Sequence, residues 1–139
     1  MAPDTGLTDL LSPTDRALIT AAEEVVRLRY RYGRHSVGAA LRGASGRVFV
    51  AVNLDATVGR AAICAEAIAL GEAVMAGETV ALVAAVRHPR PDEGGGPMLV
   101  SPCGLCRELL LDYAPEAEVL VPGQGRVTLR ALLPSPYRR

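Results

Sequence analysis

The chain has 139 residues, half of them hydrophobic, with fifteen basic and fifteen acidic side chains and no net charge. That length fits one domain, 1–139, large enough to bury a core. The charge balance leaves no footprint for a polyanion, and one Phe, four Tyr and no Trp offer little for stacking on nucleic-acid bases.

The N-terminal stretch Met1 to Leu11 carries Asp4 and Asp9 and no basic residue, so it does not read as a signal peptide. Ser12-Pro13-Thr14-Asp15 is a helix start, with Ser12 as N-cap and Pro13 at the first helical position. The helix is expected to run to about Tyr30 and to bury Ala17, Leu18, Ala21, Val25 and Leu28. Arg27, Arg29, Arg31 and Arg34 crowd its end. They read as cations near the negative dipole pole, because no Gly-rich cradle accompanies them. Two strands follow, 36–41 and 47–52, joined by the turn Arg42 to Gly46, and then a loop, Asn53 to Arg60. Ala61 to Ala76 is apolar on every face, so it is expected to be a helix covered on most sides and ended by Gly77.

Thr79 to Val86 is a β-branched run that reads as a central strand. It contains the longest apolar stretch, around Val80 to Val86, which is far too short to span a bilayer. His88 to Pro97 reads as a mobile surface loop, with His88 solvated. A strand at 98–100, a helix at 104–113, a strand at 117–121 and a short helix at 128–133 complete the chain. Strands alternating with helices imply an α/β sandwich with a partly parallel sheet and helices on both faces.

Two segments carry the chemistry: Cys64-Ala65-Glu66 and Pro102-Cys103-Gly104-Leu105-Cys106. All three cysteines of the chain fall in them, each segment at an expected helix start. An odd cysteine count rules out a complete disulfide framework and suits reduced, cytoplasmic thiols. Three sulfurs can hold one zinc and leave a fourth position open for water. Glu66, close by without being a ligand, is placed to carry that water's protons as the catalytic residue. Helix N-termini and backbone N–H groups would offset the negative charge of three thiolates. The competing reading takes Cys64 as a buried apolar residue and the C-x-x-C as a redox pair or part of a structural zinc domain; it leaves Glu66 without a role.

C-x-E followed by P-C-x-x-C is the layout of the zinc-dependent deaminases. The chain resembles the cytidine deaminase family and its near relative blasticidin S deaminase. The resemblance lies in Val37-Gly38-Ala39-Ala40-Leu41, in Asn53-Leu54-Asp55 where the family has N-x-E, in the two zinc segments, and in Leu132-Leu133-Pro134. It implies a three-layer α/β/α fold with a five-stranded mixed sheet, one zinc per subunit, and a homotetramer with sites at subunit interfaces. It implies a small aminopyrimidine substrate, with cytidine or deoxycytidine in pyrimidine salvage first and blasticidin S or another aminated heterocycle as the alternative. Asn53 and Asp55 would hold a sugar, and Ala65 and His35 would contact the substrate. Asp55 is one methylene shorter than the family's Glu, His35 stands where an aromatic residue is common, and Ala67 replaces an Arg that blasticidin-type enzymes also lack.

Overall fold

A computed structural model describes residues 10–139, so most of the segment read for a signal peptide lies outside it. Helix α1 (Pro13–Arg29) begins as its sequence dictates. The Ser12 side chain accepts the Asp15 N–H at 3.1 Å, and the Asp15 carboxylate accepts the Ser12 N–H at 3.1 Å. Its buried face is Asp15, Leu18, Ala22 and Val26; of the face expected, Leu18 is buried and Ala21 and Val25 half-buried, while Ala17 is exposed and Leu28 is 72% exposed. The helix is turned by about one residue because Asp15 faces inward, held by Arg126 at 2.8 Å. Periodicity counts apolar side chains and cannot see that a carboxylate has a buried partner.

The sheet is mixed and has six strands, ordered β2-β1-β3-β5-β6, with β4 beside β3. Strands β1 (Val37–Gly43) and β2 (Val48–Val52) form an antiparallel hairpin with Leu41 opposite Phe49. Strand β3 (Val80–Arg87) is the central strand expected. One edge pairs antiparallel with β1; the other carries β4 (Met98–Val100) antiparallel at its C-terminal end and β5 (Glu118–Val121) parallel before it. The sixth strand, β6 (Gly125–Thr128), is the one the sequence does not announce. A turn with positive φ at Gly123 and Gly125 folds it back on β5, and its single apolar side chain, Val127, leaves no alternation to read. The expected last helix shrinks to a 3-10 turn, Arg130–Leu132.

Alternation along the strands divides the core between two faces. Ala40, Leu82, Ala84, Val86 and Leu120 pack on Leu18, Ala22 and Val26 of α1. Ala39, Leu41, Val83, Val119 and Val121 pack on α2 (Ala65–Met75) and α3 (Gly104–Tyr113). The layers are therefore α/β/α. Gly38 is what lets α1 lie so close: a Cβ there would collide with the Ala22 carbonyl oxygen. The loop after β3 is tied down rather than free-standing, through Arg87 to Glu93 and Arg90 to Glu93. The His88 ring stacks on Tyr30 with centroids 3.8 Å apart. No helix among the described residues is long and apolar enough to cross a membrane.

Candidate metal centre and active site

Both zinc-motif segments end as helix N-termini on one face of the sheet. Leu54 and Ile63 form an isolated antiparallel bridge, each N–H donating to the other's carbonyl at 2.9 Å. This holds the chain extended up to Cys64, so α2 starts at Ala65, four residues later than the apolar run suggests. Residues 59–61 form a 3-10 turn instead. Cys64 is the N-cap of α2 and Cys103 the N-cap of α3, both with extended backbone and neither with a side-chain cap bond. Cys106 is in the first turn of α3 and is buried.

The three sulfurs converge. Their Sγ atoms lie within 4.8 Å of one another, and those of Cys64 and Cys103 are 3.5 Å apart. Zn–S bonds of about 2.3 Å in a tetrahedron put sulfurs about 3.8 Å apart, so a trio gathered within 4.8 Å suits one zinc. No disulfide competes, since all three thiols are free. Burial pushes the Cys64 thiol up, and the neighbouring Cys103 adds to it. Burial also pushes Cys106 far up, helped by the charges of Glu66 and Cys103. Cys103 is pushed up by burial too, but the Cys106 backbone N–H, the Cys64 and Cys106 thiols and the Leu105 N–H together outweigh this and hold it below the usual thiol value. Such a cluster resists losing three protons until a divalent cation supplies the opposing charge.

Glu66 is the second residue of α2 and only 5% exposed. Burial raises its carboxyl above the ordinary Glu value, against a smaller lowering by its own backbone N–H. It lines, with Cys64 and Cys103, a cavity of about 340 Å³. The other walls are mostly apolar: Val37, Leu54, Ile63, Ala65, Val100 and Leu105, with Asn53 and Ser101 as polar points.

The candidate substrate residues divide. Asn53 and Ala65 line the cavity. The Asn53 side-chain oxygen is already engaged, accepting the N–H groups of Ser36 at 2.8 Å and Val37 at 2.9 Å. Asp55 and His35 are not among the lining residues. Asp55 is exposed and its carboxylate accepts the Ala56 N–H at 2.9 Å, while His35 Nδ1 lies 2.9 Å from the Asn53 carbonyl oxygen. One supporting residue carried no role in the sequence reading. Arg107 donates from Nε to the Pro102 carbonyl and from Nη1 to the Leu132 carbonyl, both at 2.9 Å, and so braces the turn before Cys103. Its only sequence signal is adjacency to Cys106, which does not reveal distant carbonyl partners.

Comparison with known proteins agrees with this geometry. Residues 12–121 match the model of the cytidine and deoxycytidylate deaminase zinc-binding region. The chain is 42% identical over 134 residues to blasticidin-S deaminase of Bacillus cereus, covering 93% of this chain and 96% of that protein. It superposes on cytidine deaminase from Burkholderia pseudomallei with a TM-score of 0.71 and 30% identity, over 88% of this chain and 98% of that one. The Mycobacterium leprae cytidine deaminase gives a TM-score of 0.71 and 27% identity, over 86% and 97%. With the family's zinc segments at Cys64, Cys103 and Cys106 and their sulfurs gathered at two helix ends, the chain belongs to the zinc-binding cytidine and deoxycytidylate deaminase family.

Proposed function

We propose that the chain is a hydrolytic deaminase of the cytosine ring, with Glu66 as its catalytic residue. The observation that carries this reading is one buried carboxylate sharing an open cavity with three converging sulfurs. A structural zinc site is closed on all sides, whereas Cys103 is exposed to this cavity. When bound, zinc supplies Lewis acidity and lowers the pKa of a water admitted to the cavity.

The chain's own residues do the rest. Glu66 takes a proton from that water as its oxygen bonds to ring carbon C4, and delivers the proton to N3. A second proton passes through the same carboxyl to the amine. The C4–N bond then breaks, leaving a ring carbonyl and ammonia, so water is consumed and nothing is oxidised or reduced. Val37, Val100 and Leu105 give the ring apolar walls and keep other water away. Asn53, its oxygen spent on Ser36 and Val37, turns only its amide N–H side towards a ligand.

Within this reaction we favour blasticidin S, or a similarly elaborated cytosine nucleoside, over cytidine. The 42% identity to a blasticidin-S deaminase along nearly the whole chain supports it. So does Asp55, which would hold the sugar in the cytidine reading yet is not a lining residue. Ammonia release from cytidine, deoxycytidine, cytosine and blasticidin S by the zinc-loaded protein tests both levels. The highest kcat/KM is expected on blasticidin S. A higher value on cytidine would reverse the order of substrates, and release from none of the four would remove the deaminase reading.

A further inference from the structure

We propose that Arg107 is a positioning residue through which the C-terminal turn sets how firmly the chain holds zinc. This rests on the zinc assignment of the three sulfurs and on no choice of substrate. Each sulfur is held by a different device. Cys64 ends a stretch kept extended by the Leu54–Ile63 bridge. Cys106 is buried within α3. Cys103 has neither support: it is exposed, it lies beyond Val100, the last paired residue of β4, and as an N-cap it makes no side-chain cap bond. Arg107 supplies what is missing. Its backbone N–H donates to the Cys103 carbonyl at 3.0 Å, and its Nε donates to the Pro102 carbonyl at 2.9 Å. The peptide groups on both sides of the Cys103 Cα are thus gripped by one residue.

The same guanidinium reaches out of the motif. Its Nη1 donates to the Leu132 carbonyl at 2.9 Å, 25 residues along the chain. Leu132 ends the 3-10 turn Arg130–Leu132, where the last carbonyls have no partner within the turn, and its side chain packs on the same core cluster as α3. Local sequence argues against a cation here, because Arg107 is the fourth residue of α3, near the positive end of the helix dipole. Two charge-assisted hydrogen bonds offset that penalty. A lysine ammonium is a point donor on a flexible stem, whereas the planar guanidinium serves two carbonyls at once. The metal ligand and the turn therefore share one clamp, and coupling of this kind is reciprocal. A seated turn slows zinc loss, and bound zinc, by fixing Cys103, steadies the turn.

Two measurements on the full chain test this. The first is the rate at which zinc passes to a chromogenic chelator in excess. Arg107→Gln is expected to release it about tenfold faster than the unsubstituted protein, and Arg107→Lys, which keeps the charge but can serve one carbonyl only, by a smaller factor. The second needs no substitution: hydrogen–deuterium exchange at the Leu132 and Leu133 amides, which close the turn, with zinc bound and after its removal. Removal is expected to speed exchange there by more than in α1, which lies on the other face of the sheet and reports general loosening. In Arg107→Gln the turn is expected to lose this zinc dependence. Unchanged zinc release in both variants, or exchange that rises equally in the turn and in α1, overturns the coupling. Failure of the zinc assignment shows separately, as no metal held by the unsubstituted protein.

Discussion

Three thiols and one carboxyl carry different burdens, and substitution separates them. Replacing Cys64, Cys103 or Cys106 by Ser is expected to lose both zinc and stability, because a metal bound only by the folded chain adds its binding energy to folding. Metal analysis with a thermal melt checks this, against one zinc per chain for the unsubstituted protein. Glu66→Gln keeps volume and removes the proton acceptor. Zinc content and melting temperature are expected to hold while turnover falls by roughly a hundredfold or more. Retention of more than about a tenth of the turnover would assign proton transfer to another group. These four residues were legible in sequence because ligand chemistry restricts residue type and the helix starts restrict spacing. Asp55 was not, since its side chain is directed by a loop whose path depends on the Leu54–Ile63 bridge and on Arg34.

The helices and strands expose a second kind of dependence, in which one residue sets how two elements meet. Asp15 joins α1 to β6 through Arg126, at 2.8 Å, while Arg126 also reaches Glu118 at 3.2 Å. Burial alone would raise the Asp15 carboxyl, but the bond and charge of Arg126 and the bonds from Ser12 outweigh it and hold it below the ordinary Asp value. A carboxyl with a lowered folded pKa stabilises the fold above the unfolded value of about 4 and loses that contribution as pH falls through the folded one. Asp15→Asn is therefore expected to cost about 1 kcal/mol at pH 7, a modest figure because Arg126 is 40% exposed. The gap in urea midpoints should narrow as pH is lowered from 7 towards 3; an equal gap at pH 7 and pH 3 would reject the ionic account. Gly38→Ala tests a second contact of α1 with the sheet. The added methyl meets the Ala22 carbonyl oxygen, and a loss of about 1–3 kcal/mol is expected by the same assay.

For the whole molecule the open question is what covers the outer side of α2. The sequence made this helix apolar all round, and the chain's own sheet buries Ala65, Ala69, Leu70 and Ala73. Val74 and Met75 remain 48% and 88% exposed. Self-association would bury them, and light scattering at micromolar concentration is expected to give a dimer or larger; a stable monomer would show that the face stays in water. The sequence by itself determined the α/β class, the three zinc ligands, Glu66, and the extents of β4 and α3. Each follows from local rules: residue chemistry at fixed spacing, caps, and alternation. Only the tertiary structure decided that β6 completes the sheet, that α1 turns Asp15 inward, and that Asn53 holds the start of β1. Those depend on partners tens of residues away, and no local pattern encodes which buried charge or free carbonyl will be waiting there.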